Sequence, residues 1–150
     1  MRYRTVLVGT DGSDTSLQAV ATAAELAAAM TAPLLVVCAY HPVPAREQAR
    51  ITPGLDDTRF RVAGSEAAQS ALDAGLAAAR AAGASSPEGK LVTGDAVEAL
   101  LSEAESRSPA LIVVGNRGMN RLSRRLLGSV PSDVAYRASC DVLIVHTTTR

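Results

Sequence analysis

Short runs of uninterrupted apolar residues recur along this chain, and longer stretches with helical spacing lie between them. The runs are Val6-Leu7-Val8-Gly9, Leu34-Leu35-Val36-Val37-Cys38-Ala39, Leu111-Ile112-Val113-Val114 and Val142-Leu143-Ile144-Val145. Each is too short for a typical helix and carries no polar alternation, so no face of it suits water. Such strands belong to a parallel sheet covered on both faces. Leu91-Val92 offers a shorter third strand in chain order. The chain has no Trp, one Phe and three Tyr, so the core must be built from Val, Leu, Ile and Ala.

The intervening segments carry helix signals. Asp11-Gly12 turns the chain after the first strand, and Ser13 or Asp14 can cap a helix that runs through Ala29. Its apolar face reads as Leu17, Val20, Ala21, Ala24 and Ala28, and Thr31 with Pro33 ends it. A second helix is expected over 65–82, stopped by Gly83. Asp95 and Glu98 have capping-box spacing ahead of Val97, Leu100, Leu101 and Ala104, and Pro109 closes that helix. Val130-Pro131 opens a short last helix, Pro being tolerated in a first turn. Residues 41–63, with Pro42, Pro44, Pro53 and Gly54, show no period and read as a lid, a binding loop or a disordered stretch.

Strand and helix therefore alternate five strands to four helices. This predicts one domain over residues 1–150: an α/β, open, doubly wound parallel five-stranded sheet with helices on both faces and strand order 3-2-1-4-5. Ligands in such sheets lie beyond the carboxyl ends of the strands, where the strand order reverses. Here those ends are Gly9-Thr10-Asp11, Ala39-Tyr40 and Gly115-Asn116.

The fourth strand runs into Gly115-Asn116-Arg117-Gly118, followed by nine residues and then Gly128-Ser129. Glycines let a backbone approach phosphate oxygens with no Cβ in the way. The amides of Gly128, Ser129 and Val130 fall at the start of a helix, where free N–H groups and the dipole favour an anion. The Ser129 hydroxyl can donate to phosphate or help hold a cation. Formal net charge is zero, which excludes a globally basic nucleic-acid footprint. Yet Arg117, Arg121, Arg124 and Arg125 concentrate positive charge between 115 and 129, with no acid among them. The arginine fork suits phosphate oxygens.

Other features point to no chemistry. Gly83 and Gly89-Lys90 only approximate a P-loop: the spacing is one residue too long, the Ser/Thr is missing and a helix precedes it. Neither G-x-G-x-x-G nor the G-x-S-x-G nucleophile elbow occurs. His41 and His146 read as isolated. Cys38 and Cys140 read as packed thiols, with neither disulfide nor zinc spacing. Residues 1–5 lack the apolar core of a signal peptide, and no run is long enough to span a bilayer, so a cytoplasmic protein without membrane contact is expected.

The Gly-x2-Gly-x9-Gly-Ser spacing after the fourth strand resembles that of the nucleotide-binding branch of the universal stress protein family. Val8-Gly9-Thr10-Asp11-Gly12-Ser13, the Asp95 to Leu100 stretch and Cys140-Asp141-Val142-Leu143-Ile144-Val145 are similar to other parts of that family's pattern, so the likeness covers the whole chain apart from residues 41–63. The resemblance implies that Asp11 bonds a ribose and that the main chain near Ala39 meets an adenine edge. It implies that Gly115 to Gly118 line the ribose and α-phosphate, and that Gly128, Ser129 and Val130 hold the outer phosphates. The implied pocket comprises Gly9, Thr10, Asp11, Ala39, Gly115, Asn116, Arg117, Gly118, Met119, Asn120, Arg121, Gly128, Ser129 and Val130. For Asp11 the alternative is a turn residue that bonds its own backbone.

ATP, with or without Mg or Mn, is the first expected ligand and cyclic AMP the alternative. The expected role is a sensor or regulatory module in stress response. A slow ATPase stays open, but no evident base activates water, which favours binding over turnover. The apolar fifth strand should be a sheet edge, and an uncovered edge invites pairing. The family resemblance implies a homodimer through Val142, Leu143, Ile144 and Val145. The alternative is that residues 147–150 fold over the edge.

Overall fold

The computed structural model describes residues 2–42, 64–108, 110–116 and 129–147. Among these residues nine elements follow one another: β1 Thr5–Gly9, α1 Asp14–Met30, β2 Leu34–Tyr40, α2 Ser65–Ala81, β3 Glu88–Thr93, α3 Ala96–Ser106, β4 Ala110–Gly115, α4 Ser129–Arg137 and β5 Asp141–Val145. The strands form one sheet in the order β3-β2-β1-β4-β5, and every pairing is parallel. This is the expected order.

Side-chain alternation divides the buried strands between two cores. On one face Val6, Val8, Val36, Cys38 and Val113 pack against α1 and α2. On the other, Leu7, Leu35, Val37, Ile112 and Val114 pack against α3 and α4. The split follows from topology. From β1 to β3 the chain winds outward in one direction, and right-handed crossovers put α1 and α2 on one face. It then crosses back beyond β1 to β4, and the same handedness puts α3 and α4 on the other. The reversal between β1 and β4 is the switch point.

Three local expectations change. The apolar face of α1 is Ala19, Val20, Ala23, Ala24 and Ala27, while Leu17 and Ala21 are half-buried and Ala28 is exposed. Alanine occupies so much of this helix that it does not mark a face, and the sheet contact sets the rotation. β3 is longer than Leu91-Val92: it begins at Glu88, which stands beside Leu35. As an edge strand it tolerates charge along its length. Arg107, the C-cap of α3, forks onto both Glu88 carboxylate oxygens at 3.1 and 2.9 Å, and Lys90 pairs with the nearly buried Glu103. Finally, Asp95 caps α3 as expected, accepting from the N–H groups of Val97 and Glu98, but the Glu98 carboxylate turns to Arg137 at 2.6 Å instead of completing a reciprocal box. The charge of Arg137 on α4 outcompetes a neutral backbone N–H for that carboxylate.

The segment that approximates a P-loop has packing reasons for its residues. A Cβ on Gly89 would stand 2.8 Å from Leu76 Cδ1, so glycine there admits α2 close to the strand. Lys90 is taken up by Glu103.

Candidate functional site

The carboxyl ends of β1, β2, β4 and β5 open on the same edge of the sheet, because all strands run parallel. Gly9 stands beside Val37, and the Thr10 N–H donates to Val37 O at 2.9 Å, so the β1 ladder continues one residue past the strand. The chain then turns sharply through Gly12, whose φ of +81° lies in the left-handed region that glycine enters freely.

Hydroxyls organise this turn. Thr10 is buried, and its Oγ1 accepts from the Gly12 N–H and lies 3.1 Å from Ser16 Oγ. Ser16 in turn donates to Ser13 O and accepts from the Asp11 N–H. The Ser13 side chain caps α1 through the Ser16 N–H. Thr10 therefore sets the shape of the turn. Ser16 was not singled out from sequence; its position in the first turn of a Ser-capped helix was the available signal. Asp11 Oδ1 accepts from the Ser13 N–H at 2.9 Å, the local turn bond anticipated as the alternative. No other donor reaches its carboxylate among the described residues, so Oδ2 has no partner among them.

Cys38 lies on the same side of β2, fully buried. Burial, with the Asp11 carboxylate adding to it, pushes its thiol up to about 11. The sulfur is therefore protonated at neutral pH and is no nucleophile. Ala39 and Tyr40 follow, half-buried; the Tyr40 carbonyl accepts from the Gly94 N–H, and His41 is exposed.

On the other side of the switch point, Gly115 pairs with Val145 as the last rung of the β4–β5 ladder. A Cβ built on Gly115 would lie 3.4 Å from Thr147 Cγ2 and 3.8 Å from Ala19 Cβ, ordinary contacts, so packing alone would accept alanine there. Asn116 is half-buried and bonded to residues 145–147. His146 is therefore not isolated: its Nδ1 lies 3.1 Å from Asn116 Nδ2. Nothing local in sequence joins residues thirty apart, and only the β4–β5 pairing brings them together. Ser129 is exposed and is the first residue of α4, followed by half-buried Val130. Arg117, Gly118, Met119, Asn120, Arg121 and Gly128 lie outside the described residues, as does the 43–63 stretch.

The structure thus brings Gly9, Thr10, Asp11, Gly115 and Asn116 to the reversal point between β1 and β4, with Ala39 one strand away. Residues 2–146 match the universal stress protein family. The chain belongs to that family. A universal stress protein of Mycobacterium tuberculosis is 44% identical over 146 residues, spanning 97% of this chain and 98% of the relative. Another, from Thermus aquaticus, is 34% identical over 144 residues, 96% of this chain and 99% of the relative. A crystal structure of a universal stress protein in complex with cAMP aligns with a TM-score of 0.76 at 44% identity, covering 99% of this chain and 100% of that one. The family resemblance drawn from the glycine spacing is borne out, as is the five-stranded universal stress protein fold. Among the described residues no helix is long and apolar enough to cross a membrane.

Proposed function

We propose that this chain binds an adenine nucleotide across the β1–β4 reversal point and serves as a nucleotide-dependent sensor or regulatory module, acting as one domain over residues 1–150. The observation that carries this reading is the meeting of two strand ends at that point: the Gly9-Thr10-Asp11 turn, with one carboxylate oxygen that accepts from no donor among the described residues, and the Gly115-Asn116 end that runs in sequence into the Gly-x2-Gly-x9-Gly-Ser segment. In this reading Asp11 Oδ2 accepts from a ribose hydroxyl, the end of β2 near Ala39 meets the base, and Gly118, Gly128, Ser129 and Val130 supply amides to phosphate, with Arg117 and Arg121 adding charge.

Cyclic AMP moves ahead of ATP as the ligand, because a relative 44% identical along its whole length is in complex with cAMP. The four arginines of the 117–125 stretch support ATP as the second reading, since a triphosphate uses more donors and more positive charge than a cyclic monophosphate. Binding without turnover fits the cleft chemistry: Cys38 holds its proton, and one Asp11 oxygen is committed to Ser13. A cytoplasmic homodimer paired through the exposed β5 edge completes the proposal.

Calorimetric titration of the intact chain with cyclic AMP and with ATP ranks the two ligands. If neither binds more tightly than about 1 mM, equivalent to only about 4 kcal/mol, the reading is wrong. Gly128→Val is expected to abolish binding with the fold and dimer intact; retained affinity would show that the phosphates lie elsewhere. Sustained phosphate release from ATP, lost in Asp11→Ala, would make the protein an enzyme instead.

A further inference from the structure

We infer that Thr147 and His146, which follow the last strand, are positioning residues for the nucleotide site: they fix Asn116, the residue with which the chain leaves β4. This rests on the reading of that site as a nucleotide pocket.

Asn116 is held on three sides. Its backbone N–H donates to Val145 O at 2.8 Å. Its Oδ1 accepts from both the Thr147 N–H and the Thr147 hydroxyl, each at 2.8 Å. Its Nδ2 lies 3.1 Å from His146 Nδ1. The amide has only one acceptable orientation. A backbone N–H can only donate, so the side-chain atom facing Thr147 must be oxygen. Nδ2 then donates and His146 Nδ1 accepts, the role of the Nε2–H tautomer.

Thr147 is fully buried although the sheet ended two residues earlier, and its methyl packs over Gly115. It lies one position past the residues matched to the family. The backbone ladder stops at Gly115 and Val145. The side-chain bonds continue the grip one residue further, onto Asn116, where the ladder can no longer hold the chain. An Oδ1 that already accepts twice has little left to offer a ligand. The role of Asn116 is thus to hold its main chain still, and the two residues that secure it come from the far end of the sequence.

Two substitutions separate donation from packing. Thr147→Val keeps the methyl contact and removes the hydroxyl donor; Thr147→Ser keeps the donor and removes the methyl. Cyclic AMP and ATP are titrated into the wild type and each variant, and the His146 ring nitrogens are followed by long-range proton–nitrogen NMR in the free protein. Thr147→Val is expected to weaken binding about tenfold while His146 keeps the Nε2–H tautomer, because the Thr147 backbone N–H still orients the Asn116 amide. Thr147→Ser is expected to stay within about twofold of wild type. The opposite ranking would mean that Thr147 only packs, and would overturn the inference. So would wild-type affinity in Thr147→Val. Should that variant fail to fold, His146→Leu alters an exposed side chain and removes the Nδ2 acceptor. A loss of about threefold is expected there, and wild-type affinity would equally overturn the proposal. A wild type that binds neither nucleotide removes the pocket and this role together; a wild type that binds while these variants do too removes the role alone.

Discussion

Gly12→Ala tests whether the turn that presents Asp11 is braced by α2. Gly12 has a φ of +81°, and a Cβ there would stand 3.0 Å from Ala71 Cβ and 3.2 Å from Ala71 Cα. The left-handed conformation costs an alanine about 1 kcal/mol. The contact adds about 1–2 kcal/mol, because one of the opposing atoms is helix backbone and cannot swing away. The total, about 2–3 kcal/mol, corresponds to a melting point lower by roughly 5–10 °C for a chain of this size. Thermal unfolding followed by circular dichroism reads this directly. Ala71→Gly supplies the control. Alone it costs about 1 kcal/mol in helix propensity, but combined with Gly12→Ala it removes the nearer contact and leaves the backbone strain. The double variant should therefore be about 1 kcal/mol more stable than the sum of the singles predicts. A Gly12→Ala protein melting within about 2 °C of wild type, or strict additivity with Ala71→Gly, would refute the account of this brace.

Glu103→Gln is expected to destabilise the fold by about 2 kcal/mol at pH 7 in urea unfolding, since it weakens charge-assisted bonds to Lys90 and Arg107. The Lys90 ammonium, helped by Arg107 against the opposing effect of burial, holds the Glu103 carboxyl below its ordinary range. Its contribution is therefore complete above the unfolded-state value and is lost as pH falls through the lower folded value, so the gap between wild type and variant should close below about pH 4. A gap that is constant with pH would contradict this. Leu143→Arg places charge on the edge strand β5, where Leu143 and Ile144 each keep 36% of their surface open, and light scattering should show a monomer. A wild type that is itself monomeric would remove the dimer proposal.

What could be read from the sequence follows from where each residue lies. β1, β2 and β4 were legible because strands buried on both faces must be apolar throughout. β3 was underread because an edge strand may carry Glu88 and Lys90, and its glycine answers to Leu76 on a neighbouring helix. The face of α1 was illegible because alanine is small enough to stand on either side of it. At the site, Asp11 and Gly115 were visible from their places at strand ends. The bonds from Thr147 and His146 to Asn116 were not, since they depend on β5 lying beside β4 rather than on any local motif.

The central position of β1 has a consequence for how the chain comes to be folded. Thr5 pairs with Ala110 and Val8 with Val113, so one side of the strand made first must wait roughly a hundred residues for its neighbour. During synthesis the β1–β2–β3 half can assemble early while β1 still presents an unpaired apolar border. Contacts of such long sequence separation close slowly, and an open strand border in the interim is prone to pair with the wrong chain. The proposed nucleotide site straddles this late seam, so ligand binding should be acquired only once β4 has docked, late in folding.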